Sequence, residues 1–260
     1  MSALCDDEVL LACGSDGLRV FSLRTAQLSA TVIRDHVDVR KVAFDAHTDT
    51  LLLLVEPSFD EYTAGRVYWE LMSLRRDAGE WREVQRLQTD FQTETQFVTN
   101  IVVCDSRVLL GTEKGCTVYM FEVSANHTFS AAGSVALQTE FNYIACTRLD
   151  GDTLVAFSHA TSFSLQRLTS QGLEPLARVN LTYAYWLLFR GDLLFVGHIN
   201  STTKNTDAIL TLRASSKEPT EQPLLFNARA GVRVRAVALA GDRLVLWDWK
   251  SKDLFVYAFA

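Results

Sequence analysis

The chain has no stretch approaching the roughly 20 apolar residues that a membrane-spanning helix needs. Its first residues, MSALCDDEVLLACG, carry acids where a secretory signal carries bases. No membrane segment and no signal peptide are therefore expected, and the expected location is cytoplasmic, nuclear or both. A basic patch is also missing. The formal net charge is −6, and no stripe of interleaved basic and aromatic residues is present, so nucleic acid is not expected as a ligand. The five cysteines are odd in number and show no CxxC spacing. Several of them lie inside apolar runs, as buried reduced thiols do. Helical periodicity is absent throughout.

Motifs that announce chemistry are missing as well. There is no GxSxG, no phosphate-cradling GxxxxGK, no HxxxH or HxH and no paired-carboxylate motif. On these grounds no cofactor and no catalytic residue are expected. Three Asn-x-Ser/Thr sequons, at Asn126, Asn180 and Asn200, fall in predicted loops and are read as chance in a chain without a signal peptide.

What the sequence does contain is a repeat. With 260 residues, 48% of them hydrophobic, the chain has ample material for a buried core. Six times it writes a strand, an Asp-bearing turn and a very apolar second strand. The second strands are VLLACG from Val9, LLLLVE from Leu51, VLLGTE from Val108, LVAFSH from Leu154, LLFVGH from Leu193 and LVLWDW from Leu244. The turns before them, CDDE, DAHTDT, CDSR, LDGD, FRGD and AGDR, are rich in residues that tolerate left-handed or self-bonded geometry. A third strand with period-two alternation follows each, as in CTVYMFEV and SFSLQRL. A fourth, weaker strand follows in five of the six repeats.

Four-stranded units of roughly 40–45 residues are the signature of β-propeller blades. The chain resembles the WD40-like propellers over its whole length. The residues that carry the likeness are the GSDG turn at Gly14 to Gly17, the GTEKG turn at Gly111 to Gly115, and Trp247-Asp248. The expected fold is all-β, a six-bladed propeller in one domain. Its blades fall at about 1–35, 36–90, 91–138, 139–180, 181–228 and 229–260, and the last lacks an outer strand.

The resemblance implies a non-catalytic scaffold or adaptor for protein partners, such as a substrate receptor, a coat or pore component, or an assembly factor. The alternatives are a propeller enzyme or metal-dependent hydrolase at the channel mouth, and a peptide or histone-tail reader. His159 and His198 end equivalent strands, with Glu56 and Glu113 at matching places. That set suits a metal, although strand-end polar residues more often simply meet water.

For partner binding, the long loop from Glu56 to Arg66 offers Phe59 and Tyr62, and the inter-blade loops offer Arg34, Arg40, Phe141, Tyr185 and Arg233. Trp186 is expected to pack between blades. The last strand leaves an apolar edge at Leu254 to Phe259, with Phe255 and Tyr257 on it, suited to a strand donated by another protein.

Overall fold

The computed structural model describes residues 2–5, 8–14, 17–22, 24–25, 27–28, 38–56, 68–92, 98–112, 116–181, 184–199, 207–214, 234–240, 243–248 and 254–258. Side chains are described for these except at 2–5, 91–92, 99, 185, 199, 207–211 and from 234 onward. Among the described residues no helix is long and apolar enough to cross a membrane. The chain forms two compact units, residues 1–136 and 137–260.

The first unit holds three antiparallel four-stranded sheets. They are β1 (Ser2–Cys5), β2 (Glu8–Ala12), β3 (Leu18–Ser22) and β4 (Gln27–Leu28); then β5 (Asp38–Asp45), β6 (Thr50–Glu56), β7 (Tyr68–Asp77) and β8 (Glu80–Gln92); then β9 (Val98–Cys104), β10 (Arg107–Thr112), β11 (Thr117–Val123) and β12 (Phe129–Ala136). Each sheet pairs its strands in chain order. The first strands gather, β1 against β5 and β5 against β9, as in a propeller whose innermost strands surround an axis.

Local chemistry makes the hairpins. Asp105-Ser106 joins β9 to β10 and Ala78-Gly79 joins β7 to β8, all four residues with positive φ. Two-residue turns of that hand match the right-handed twist of the strands they join. The second strands are sandwiched, which explains their unbroken apolar runs. Along β6, Leu52 and Leu54 enter a core with Val108 and Leu110, whereas Leu51, Leu53 and Val55 enter another with Leu10, Leu18 and Val20. Successive side chains point to opposite faces, so a strand covered on both sides is apolar at every position. The outer strand β12 is exposed along most of its length.

A half-buried relay braces the first unit. Asp45 accepts from the Thr48 hydroxyl at 2.6 Å, the Thr48 and Thr50 hydroxyls lie 2.8 Å apart, and Thr50 meets His127 Nδ1 at 2.8 Å. It ties the β5–β6 turn to the β11–β12 loop. Gly14 also docks on the next sheet, exchanging backbone bonds with Val39 at 3.0 Å.

The second unit holds β13 (Tyr143–Leu149), β14 (Asp152–Ser158), β15 (Ser162–Thr169) and β16 (Gly172–Asn180), then β17 (Ala184–Arg190), β18 (Leu193–Ile199) and β19 (Asp207–Arg213), then β20 (Val234–Ala240), β21 (Arg243–Asp248) and β22 (Leu254–Ala258). The β13 strand lies against β17, and β17 against β20. One core joins the first two sheets, with Ala156, Phe163 and Leu165 packed on Leu187, Leu194 and Val196.

This is an all-β propeller architecture. The finer expectation, six blades with only the last lacking its outer strand, is not established by these sheets. Four sheets have four strands, and the final two have three each among the described residues. The fourth strand expected in the fifth repeat, PLLFNA from Pro223, lies outside the described residues. Asn180, expected in a loop, is the last residue of β16.

Candidate functional site

The second unit gathers polar side chains where β14 turns into β15. Ser158 ends β14, His159 follows, and Ala160-Thr161 turn the chain into Ser162, the first residue of β15. The His159 N–H donates to the Ser162 carbonyl at 2.7 Å and closes the turn. The Asn142 N–H donates to the Ser158 carbonyl at 2.8 Å, which lays the segment before β13 alongside.

That segment meets the imidazole. His159 Nδ1 lies 2.8 Å from the Glu140 carbonyl oxygen and 3.3 Å from Thr139 Oγ1, and Nε2 lies 3.0 Å from Ser164 Oγ. A carbonyl has no proton to give, so in the neutral ring Nδ1 carries the hydrogen and donates it to Glu140. Nε2 then holds the lone pair, and the Ser164 hydroxyl donates to it. The Gln166 amide donates to Ser164 Oγ at 3.3 Å. A hydroxyl is thus aimed at a base, and the base is aimed by a carbonyl.

Both side chains are more than nine-tenths buried, His159 at 7% exposure and Ser164 at 8%. Ser164 pairs across the sheet with Phe157 and with Arg178. Directly opposed residues share a face of an antiparallel sheet, so this face bears Phe157, Ser164 and Arg178, while Phe163 and Leu165 enter the core on the other. Phe141 packs edge-on against Phe157, with ring centroids 5.2 Å apart. Ser158 Oγ is buried with no hydrogen-bond partner among the described residues.

The residues singled out from the sequence are placed as follows. Phe141 is interior at 1% exposure, a correction, because its ring fills the space against Phe157 instead of meeting solvent. Arg40 is exposed and held by Asp38 at 2.9 Å and Glu56 at 2.6 Å. Tyr185, Phe255 and Tyr257 lie on strands β17 and β22, their side chains outside the described set. Phe59, Tyr62, Arg34 and Arg233 lie outside the described residues. The edge strand β22 pairs with β21 and with no other described strand.

Of the candidate metal set, His159 does not meet water as a bare strand end would, since both ring nitrogens are engaged. Glu56 is occupied by Arg40, and Glu113 lies outside the described residues. Among the described residues no three His, Cys, Asp or Glu form a metal-holding group. Ser164, Gln166 and Arg178 were not singled out by the sequence. The available signal was the alternation of Ser162, Ser164 and Gln166 with Phe163 and Leu165, a polar face on a strand whose other face is core.

No family model and no curated protein sequence matches the chain. Solved structures do resemble it. A periplasmic gluconolactonase from Pseudomonas aeruginosa is 14% identical, with a TM-score of 0.62, covering 99% of this chain and 80% of that one. A nidogen/laminin complex contains a chain 10% identical, with a TM-score of 0.62, covering 97% and 89%. The dihydro-heme d1 dehydrogenase NirN, in complex with DHE, is 15% identical, with a TM-score of 0.57, covering 99% of this chain and 57% of that one.

At such identities the likeness is of fold, and it supports a β-propeller without supporting the WD40 type in particular. It also corrects the expectation of a non-catalytic scaffold. Two of these structures are enzymes by their own names, so missing sequence motifs give no ground for a non-enzyme on this fold. One propeller neighbour is a chain of a protein complex, that of nidogen with laminin. The expected cytoplasmic or nuclear location gains no support, since one neighbour is periplasmic.

Proposed function

We propose that the protein is a propeller hydrolase that cleaves an ester or lactone, with Ser164 as nucleophile and His159 as general base. The observation that carries this reading is the 3.0 Å approach of Ser164 Oγ to His159 Nε2, with Nδ1 held 2.8 Å from a carbonyl. Nucleophile, base and orienting group in hydrogen-bond contact are the recurring parts of acyl-transfer sites. Likeness of fold to a gluconolactonase, whose name denotes opening of a cyclic ester, supports the same class.

The chemistry follows from the tautomer. Ser164 Oγ attacks the carbonyl carbon while its proton passes to Nε2. The imidazolium so formed keeps its Nδ1–H on the Glu140 carbonyl, a dipole that stabilises positive charge on the ring. The Gln166 amide, 3.3 Å from Ser164 Oγ, is a side-chain donor beside the nucleophile for negative charge developing on the carbonyl oxygen. Collapse breaks the bond to the alkoxide, which takes the proton from Nε2. Water then hydrolyses the Ser164 ester, with His159 again as base.

The test uses p-nitrophenyl acetate and gluconolactone as substrates and a fluorophosphonate probe as label. The expected result is hydrolysis by the wild type, label on Ser164, and a loss on the order of 10²–10⁴-fold in S164A and H159A with thermal stability retained in S164A. Undiminished hydrolysis by S164A, or no hydrolysis by the wild type, overturns the reading.

A further inference from the structure

From the pairing of Ser164 with Arg178 on β16, we infer that the substrate carries a carboxylate beside the scissile ester, and that Arg178 binds it. This rests on the Ser164–His159 reading for its chemistry, and on its own geometry for the anion.

Residues opposed across an antiparallel ladder have Cβ atoms about 4.5–5.5 Å apart. Arg178 and Ser164 are opposed in this way, so the guanidinium stem rises beside the nucleophile on the same face of the sheet. Its Nε donates to Ser162 Oγ at 3.2 Å, and Ser162 is itself fully buried. The base of the fork is anchored to the sheet in this way. The two Nη groups, the pair that faces a planar anion, carry no ion pair among the described residues, and the side chain is exposed.

The contrast with other arginines is informative. Arg40, Arg76, Arg82, Arg86, Arg167 and Arg213 each hold a carboxylate of this chain. Arg178 has its position fixed by a serine and its charge left unspent. A planar, permanently charged fork with pre-set orientation is the group that recognises a carboxylate through two parallel bonds. A substrate held at one end by that pair presents its ester to Ser164 as an effectively intramolecular partner.

The experiment compares a neutral ester, p-nitrophenyl acetate, with a carboxylated one, the p-nitrophenyl monoester of glutaric acid, and uses free glutarate as a binding probe in thermal melts. In R178M, KM for the carboxylated ester should rise about tenfold, the loss of one charge-assisted pair, with kcat little changed and the neutral ester unaffected. R178K should recover part of the loss. Glutarate should raise the Tm of wild type and of S164A but not of R178M. Equal kinetics of R178M and wild type on both esters, or a glutarate effect on Tm that survives in R178M, overturns the anion site. If S164A keeps full hydrolysis while glutarate still needs Arg178, the hydrolase reading fails and the anion site stands.

Discussion

Trp186 on β17 lies directly across from Gly197 on β18, and its indole covers the glycine so closely that three ring atoms occupy the space a Cβ would need. The register shifts beside this pair, between Ala184 and Trp186, and the ring is buried at 6% exposure. Trp186 is buried against its own sheet, and the residue that permits it is a glycine. The Gly197→Ala substitution should therefore destabilise by about 1–3 kcal/mol, because overpacking forces a large ring off its rotamer. Combining it with W186L should restore part of the loss. Chemical denaturation of the two variants measures both effects, and a G197A protein as stable as wild type would show that the ring has room to move.

Lys41 lies on β5 at the bulge against β6, and no group among the described residues accepts a hydrogen bond from its amine. Burial, with the neighbouring Arg40 charge as a smaller cause, lowers its pKa from the ordinary 10.5. The folded state thus holds the proton less tightly than the unfolded chain. Between the lowered value and 10.5 the unfolded state binds more protons, so stability rises with pH across that window and the penalty is complete below it. K41M should be more stable than wild type at neutral pH, with the difference shrinking toward pH 10.5. Urea midpoints at both pH values decide it. A gap that widens with alkalinity would reverse the sign assigned to Lys41.

Ser158 and Ser164 are both buried hydroxyls, at 0% and 8% exposure, but only Ser164 is hydrogen-bonded. An unpaired buried hydroxyl costs its desolvation without return, about 1–3 kcal/mol. S158A should leave stability unchanged or raise it by about 1 kcal/mol, and hydrolysis should be unaffected. Calorimetric melts test this. A clear loss of stability would mean that the Ser158 hydroxyl has a partner.

The repeat was readable because blade strands announce themselves locally. Leu51 to Val55 form an unbroken apolar run, and the structure buries every one of those side chains. The Asp-bearing turns carry the positive φ values their residues tolerate, at Asp105, Ser106 and Asp150. Each of these depends on neighbours within a few residues, so composition and period suffice to find them.

The polar site obeys a different rule. His159 was visible as a strand-end histidine, but its partners are a backbone carbonyl at Glu140, 19 residues earlier, and a hydroxyl at Ser164 whose direction follows from the β14–β15 register. A carbonyl has no sequence signature. A hydrogen bond near 3 Å exists only when two segments are placed within a fraction of an ångström of each other. Phe141 shows the same limit, since an aromatic residue in an inter-strand loop has the same composition whether it faces solvent or Phe157. By itself, then, the sequence determined the repeating strands, the turn chemistry and the apolar second strands, because these are short-range. Which serine meets the histidine, which arginine keeps its charge free beside it, and which loop aromatic turns inward were decided by tertiary structure alone. Those choices depend on register and packing between segments that the chain order does not place side by side.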